Sequence, residues 1–181
     1  LAVGPLAPRR HDLHFYVGDV RDPSRIRDVI RQVRPTTIII AAALKQVDTC
    51  ELSPQESVLT NLVGTQNVID AVNSADGRWT FAGNVLFVST DKACSPVNVY
   101  GMCKALSERL VSSQARSGPD WANFLVVRYG NVLESRGSII PLFKYQGEHA
   151  PELTVTDPNM TRFLMTLDES VNLIQEALEH G

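Results

Sequence analysis

The feature that most constrains this chain is a hydrophobic period that switches back and forth along it. Thr36 to Ala42 (TTIIIAA) is an unbroken β-branched and apolar run, the pattern of a parallel strand covered on both faces. Helices must then flank it, and the period duly changes. Ser53-Pro54-Gln55-Glu56 has the form of a capping box with proline at the first helical position, and Val58, Leu59, Leu62, Ile69 and Val72 follow at helical spacing. The same alternation occurs upstream. Leu13 to Val17 (LHFYV) reads as a strand, and Asp22-Pro23 opens a helix with Ile26, Val29, Ile30 and Val33 on one stripe, ending at Pro35. Downstream, Asn84 to Ser89 reads as a strand, Asn98 to Ser117 as a helix and Asn123 to Tyr129 as a further strand. The order β-α-β-α-β-α-β predicts an α/β fold with a doubly wound parallel sheet. After Gly130 the pattern loosens, with a helix expected around Ile140 to Gln146, a short strand at Leu153 to Val155, and a second capping box, Thr166 to Glu169, opening a last helix along Val171, Ile174 and Leu178.

Two regions are expected, a sheet domain over residues 1–135 and the start of a ligand-binding region over 136–181. At 181 residues and 44% hydrophobic the chain suits one globular domain. Its 17 lysines and arginines are outnumbered by 20 acidic residues and are scattered, which argues against nucleic acid or an anionic membrane as partner. Cys50, Cys94 and Cys103 form no CxxC pair, and His11, His14, His149 and His180 fall in no zinc spacing, so neither a disulfide framework nor a metal site is expected. The longest apolar run, Thr36 to Leu44, is far short of the roughly 20 residues of a membrane span. A soluble, cytoplasmic protein is the expectation. Trp79, Trp121 and Tyr145 are read as packing residues.

A dinucleotide-binding sheet ordinarily opens with a strand and GxGxxG, whose glycines let the backbone approach the pyrophosphate. That motif does not occur in this sequence. LHFYV-Gly18-Asp19 reads as an interior strand, and the chain is expected to start partway through a Rossmann-like fold, before the residues that would choose between NAD and NADP.

The chemistry concentrates between Ser89 and Lys104. Tyr100 and Lys104 are four apart, on one face of the expected helix, where an ammonium would lower the phenol pKa toward acid–base use. Alone, the pair could be an exposed helical pair. Ten residues earlier, Thr90-Asp91-Lys92 stands at the carboxyl end of the strand NVLFVS, where doubly wound folds bind their ligands.

With these in place the resemblance becomes specific. Ala41-Ala42-Ala43-Leu44-Lys45, Ser89-Thr90-Asp91-Lys92-Ala93, Tyr100-Gly101-Met102-Cys103-Lys104, Arg128-Tyr129-Gly130-Asn131-Val132, Ser135-Arg136-Gly137-Ser138 and Thr156 to Phe163 (TDPNMTRF) resemble, in the same order, motifs of the polysaccharide-biosynthesis branch of the extended short-chain dehydrogenases, most closely the inverting UDP-N-acetylglucosamine 4,6-dehydratases. The resemblance implies NADP or NAD as cofactor, with NADP favoured, and a UDP-sugar as substrate. It also implies a homo-oligomer, and relatives anchored at the inner membrane. The reaction it implies is oxidation at carbon 4, loss of water across carbons 5 and 6, and return of the hydride at carbon 6.

Carried over by resemblance, Tyr100 would take the hydroxyl proton, Lys104 would hold the cofactor ribose, Thr90 would bond the reacting oxygen and Asp91 would be the acid at carbon 6. Lys92 would be the base at carbon 5, its charge disfavoured beside Lys104 and an oxidised nicotinamide. Retaining dehydratases of the superfamily carry glutamate at that position. Asp19, Val20, Ala41, Ala42, Ala43, Lys45, Asn61 and Tyr129 would join Tyr100 and Lys104 around the cofactor. Lys45, Asn131, Arg136, Thr161 and Arg162 would face the substrate, the last four near the diphosphate, where amide donors and guanidinium forks suit phosphate oxygens. Two other readings stay open. One is a nucleotide-sugar epimerase or reductase using the same tyrosine and lysine, and the other is a shortened, inactive relative.

Overall fold

The computed structural model describes residues 13–74, 81–135, 138–155 and 157–181. Asp22 caps helix α1 (Pro23–Val33), accepting from the Ser24 and Arg25 amides at 3.0 Å, and Arg34 ends it in the left-handed region. Strand β1 (Thr37–Ile40) follows, then a short helix α2 (Val47–Leu52). One long helical run comes next: α3 (Pro54–Ser57), a π-helical turn (Val58–Val63) and α4 (Gly64–Asn73). Strand β2 (Gly83–Thr90) leads through a 3₁₀ turn (Asp91–Ala93) into α5 (Val99–Ser117) and β3 (Ala122–Tyr129). The tail holds β4 (Asn131–Val132), α6 (Ile139–His149), β5 (Leu164–Met165) and α7 (Leu167–His180).

The sheet is parallel in the order β1-β2-β3, with Ile40 opposite Phe87 and Phe87 opposite Val126. Alternate residues of a strand point to opposite faces, and both faces are covered. Val85, Phe87, Phe124 and Val126 pack with Ile30 of α1, Val68 and Ile69 of α4 and Val111 of α5. On the other face, Leu125 meets the end of α7, where a Cβ on Gly181 would collide with the Leu125 side chain. Val85, Leu86 and Phe87 are consequently all fully buried. The structure has the parallel, doubly wound character expected.

Four local expectations differ. Residues 13–17 pair with no strand among the described residues. The Val17 carbonyl accepts instead from Arg25 Nε at 2.7 Å, and Phe15 and Val17 are exposed. A strand needs a neighbour for its ladder, and apolar alternation alone does not supply one. Ser53 makes no side-chain cap, because its backbone already joins the end of α2 to the start of α3, donating to Thr49 O and accepting from Ser57 N. Residues 153–155 form no ladder, since the Gln146 side chain bonds the Thr154 amide and hydroxyl at 3.2 and 3.4 Å. Trp121 and Tyr145 are 46% and 61% exposed rather than packed, Tyr145 stacking on His149 at 4.3 Å, and Trp79 lies outside the described residues.

The parallel β4–β5 pair matches Asn131 to Leu164 and Val132 to Met165. It bridges the expected boundary at residue 135, as does the Tyr129 hydroxyl bonded to Ser170 O of α7 at 2.7 Å. Thr166 caps α7 with the full reciprocal box to Glu169, as its sequence predicts.

Candidate functional site

The carboxyl ends of β1, β2 and β3 open onto a cleft of about 520 Å³. β1 leads into Ala41, Ala43 and Lys45 on one wall, β2 and its 3₁₀ turn bring Ser89, Thr90 and Lys92, α5 brings Tyr100 and Lys104, and Tyr129 to Val132 close the far side. A second lobe of about 530 Å³ is lined by Asp91, Lys92, Asn98, Thr161, Arg162 and Phe163. Lys92 is common to both lobes, so the positions separated in sequence by the β3–β5 segment border one continuous region.

Close packing sets the catalytic candidates side by side. Asn98 caps α5 at the Gly101 amide, 2.8 Å away, and Glu51 accepts from the Val99 amide at 2.7 Å. The turn Asp91–Ala93 rests directly against the first turn of α5, and a Cβ on Gly101 would run into the Lys92 carbonyl. Only glycine permits that approach. Behind it, Arg128 on β3 grips Glu108 on α5 at 2.6 and 2.8 Å and reaches Cys94 Sγ at 2.9 Å, fastening the far end of the turn. Desolvation raises the Glu108 carboxyl, but hydrogen bonding with Arg128 and Ser89 and the charges of Arg128 and Arg109 together hold it below the usual carboxylate range.

Within the cleft the Thr90 hydroxyl donates to Asp91 Oδ1 at 2.9 Å, and Lys92 Nζ donates to the same oxygen at 3.1 Å and to Asn131 Oδ1 at 3.3 Å. Burial pushes the Tyr100 phenol up to about 12, with neighbouring Cys50 adding to the rise and hydrogen bonding with Thr90 opposing it. This reverses the expectation that Lys104 lowers it. Lys104 directs its ammonium elsewhere, to Val88 O at 2.8 Å and the Phe87 ring at 4.3 Å, and its own burial depresses it to about 8. Lys92 is engaged on partners of its own, Asp91 and Asn131. Tyr100, Thr90 and Asp91 instead make a hydrogen-bonded chain along which a proton can travel.

The remaining expected residues divide. Val20, Ala41 and Ala42 line a smaller apolar groove of about 270 Å³ beside β1, together with Tyr16 and Ile38. Asp19 is outside that lining and closes on Arg21 at 2.6 Å, a contact that lowers its carboxyl to about 2, while Arg21 also reaches Glu56. Arg162 bonds the Thr161 carbonyl at 2.7 Å. Tyr129 turns its ring to the cleft and its hydroxyl to α7. Arg136 lies outside the described residues.

Asn61 is engaged inside the fold. Expected at a cofactor, its carboxamide is used within the protein: Oδ1 accepts from the Leu44 amide at 2.9 Å, and Nδ2 donates to Leu44 O and to Ser57 Oγ, both at 3.0 Å. Both amide protons are taken. Its carbonyl, released by the π-turn, accepts from Thr65 and Ser107 hydroxyls at 2.8 and 3.0 Å. Asn61 thus clamps the residue before Lys45 and ties that wall of the cleft to α5. Sequence reading gave no role to Gln46, Asp48, Ser135 and Ser138, which also line the cleft; Gln46 and Asp48 stand in no motif, and Ser135 and Ser138 enter only as members of the SRGS stretch.

A nicotinamide cofactor fits these surroundings. Ala41, Ala42 and Ala43 present little side chain at a strand end, which suits close approach of a dinucleotide, and the basic side chains Lys45 and Lys104 line the same cleft. Among the described residues no group of three or more His, Cys, Asp or Glu is placed to hold a metal, and no helix is long and apolar enough to cross a membrane.

Comparison with known proteins agrees with this architecture. A family model described as polysaccharide biosynthesis protein matches residues 7–181. A protein of Rickettsia typhi named UDP-glucose 4-epimerase is 46% identical over 177 residues, covering 97% of this chain and 50% of that protein. Pen from Bacillus thuringiensis superposes with a TM-score of 0.86 at 38% identity, over 95% of this chain and 52% of its own. The Thermus thermophilus UDP-glucose 4-epimerase in complex with NAD shares the fold, with a TM-score of 0.75 at 20% identity over 96% of this chain and 64% of that one. The chain spans about half the length of the curated relatives it matches. Sheet order, site placement and the match over nearly the whole sequence lead to one conclusion: the chain belongs to the polysaccharide biosynthesis protein family.

Proposed function

We propose that this chain carries the reaction centre of a nucleotide-sugar 4,6-dehydratase, converting UDP-N-acetylglucosamine to a 4-keto-6-deoxy sugar with inversion at carbon 5. The observation that carries the reading is the Lys92 ammonium bracketed by Asp91 and Asn131 beside the Tyr100–Thr90–Asp91 chain. Simple epimerisation needs a hydroxyl acid–base but neither a carbon-5 base nor an acid at carbon 6.

A bound nicotinamide, NADP or NAD, supplies acceptance of the hydride from carbon 4 and its return at carbon 6. Lys104 and Lys45 bind its ribose and phosphate oxygens, and the alanines make room for it. Tyr100 takes the carbon-4 hydroxyl proton, and Thr90 passes it to Asp91. Once carbon 4 is a ketone the carbon-5 proton is acidic, and Lys92, as the free amine left when its ammonium proton has passed to solvent, removes it. Asp91 gives its proton to the departing hydroxyl, releasing water. Lys92 then restores a proton to carbon 5. Protons balance: the one lost from the carbon-4 hydroxyl leaves in the water, and the carbon-5 proton is borrowed and returned. Thr161 and Arg162 in the adjoining lobe, with Arg136, hold the diphosphate.

The decisive experiment incubates the protein with UDP-N-acetylglucosamine and NADP or NAD and follows the product by mass and NMR. Loss of one water, falling at least ~100-fold in Lys92→Ala, is expected. A second reading, UDP-sugar 4-epimerase, is favoured by the names of the Rickettsia relatives. It predicts an isomer of unchanged mass and a Lys92→Ala variant that keeps its rate.

A further inference from the structure

One interaction in the site has no assigned role, the one that reaches Lys92 from across the cleft. Lys92 begins on the β2 side, in the 3₁₀ turn, yet its ammonium is shared between its own neighbour Asp91 at 3.1 Å and Asn131 Oδ1 at 3.3 Å, a residue 39 positions later. Asn131 is not free to follow the lysine. Its backbone amide donates to Phe163 O at 2.6 Å, and it stands opposite Leu164 in the β4–β5 ladder. The residue before it is locked as well, since a Cβ on Gly130 would lie 2.5 Å from the same Phe163 carbonyl.

We infer that Asn131 is a positioning residue for Lys92, and that it links the lysine to the Thr161–Phe163 segment. Three observations carry it. A carboxamide oxygen is an acceptor only, so the end of Asn131 that faces Lys92 is the end suited to hold an ammonium. With Asp91 on one side and Asn131 on the other, Nζ has two acceptors fixed on different elements, which restricts a side chain that otherwise has four rotatable bonds. Finally, Thr161, Arg162 and Phe163 line the lobe they share with Asp91 and Lys92, and the Phe163 carbonyl is the acceptor that fixes Asn131. A ligand seated on Thr161 and Arg162 therefore acts on the lysine through two hydrogen bonds. The inference deepens the proposed function but does not need it to be tested.

The test reads Lys92 directly, without substrate. The native protein is treated briefly with a lysine acylating reagent at one fixed pH, and the modification of each lysine is followed by peptide mass spectrometry. Lys144, exposed and paired with Glu134 away from the cleft, is the internal control. In Asn131→Leu, of similar volume and without an acceptor, Lys92 should be acylated at least ~3-fold faster, the hydrogen bond to its charged form being lost. In Asn131→Asp, which keeps the acceptor and adds charge, it should be acylated more slowly than in the native protein. Lys144 should be unchanged in both. A general loosening of the fold would move both variants in the same direction, and Asn131→Asp keeps the shape of the side chain if Asn131→Leu does not fold. Native acylation rates at Lys92 in both variants, or a faster rate in Asn131→Asp, would overturn the inference. Opposite shifts in a protein that releases no water from UDP-N-acetylglucosamine would uphold the positioning role and remove the dehydratase reading alone.

Discussion

Lys104 illustrates what a single residue in this site must reconcile. It is 3% exposed, and its burial lowers the ammonium from 10.5 to about 8. The folded protein holds this proton less tightly than the unfolded chain, so between about pH 8 and 10.5 the unfolded state binds more protons and stability rises with pH. Below that window the charged side chain is carried at full cost. Lys104→Met removes the titration, so the stability of the parent should gain on that of the variant by up to about 3 kcal/mol as pH climbs through the window. Urea unfolding at a series of pH values measures it, and parallel curves for the two proteins would contradict the buried charge. The same residue shows a limit of reading function from spacing. Tyr100 and Lys104 are i, i+4 on one helix face as expected, yet the phenol rises to about 12 because burial outweighs what a lysine turned toward Val88 and Phe87 can do. Spacing fixes which face a side chain leaves from, whereas pKa depends on the atoms it ends among.

At the scale of elements, the parts most legible in sequence were those decided by local chemistry. The Asp22-Pro23 start of α1 and the Thr166–Glu169 box of α7 formed as read, because each is completed within one turn of chain. The β1, β2 and β3 runs were found within a few residues of their ends; burial on both faces accounts for the unbroken apolar signature of β2, whereas β1 leaves Ile39 exposed. What failed depended on distant partners. LHFYV has strand composition without a ladder, and Ser53 has a capping sequence in a place where two helices meet. The π-turn at Val58–Val63 had no signal, for it is held by Asn61 bonding Leu44, Ser57 and the Ser107 hydroxyl. Asn61→Leu leaves the Leu44 backbone groups and Ser57 without these partners and should cost about 2–4 kcal/mol, read from the denaturation midpoint. Gly101→Ala addresses the other tight junction. Its methyl group would drive the Asp91–Ala93 turn off α5, so we expect activity to fall at least ~10-fold in a protein destabilised by about 1–3 kcal/mol. A variant that is as active as the parent would show that the turn can yield without displacing Lys92.

The whole molecule divides by how firmly its parts are buried. The sheet centre, Val85 to Phe87, is 0% exposed and covered by α1, α4 and α5 on one face and α7 on the other. By contrast α6 has no buried residue, and Leu142 and Tyr145 on it and Phe163 and Leu164 near the second lobe are largely exposed. Local opening is cheapest where few apolar contacts are lost. Amide hydrogen exchange should therefore be slowest at Val85, Leu86 and Phe87 and faster by several orders of magnitude along α6. The β4–β5 pair lies between these limits in position and in role, since it is the only ladder among the described residues that ties the second lobe to the sheet side of the cleft. If the Thr161–Phe163 segment receives the diphosphate, saturating UDP should slow exchange at the Asn131 amide, whose acceptor is Phe163 O, while leaving Val85 to Phe87 unchanged. Protection confined to α6, with Asn131 unaffected, would place the nucleotide elsewhere. Uniform slowing across the sheet would instead indicate global stabilisation by binding. Protection at Asn131 alone would mean that a ligand in the second lobe tightens the β4–β5 ladder that carries the Asn131 contact with Lys92.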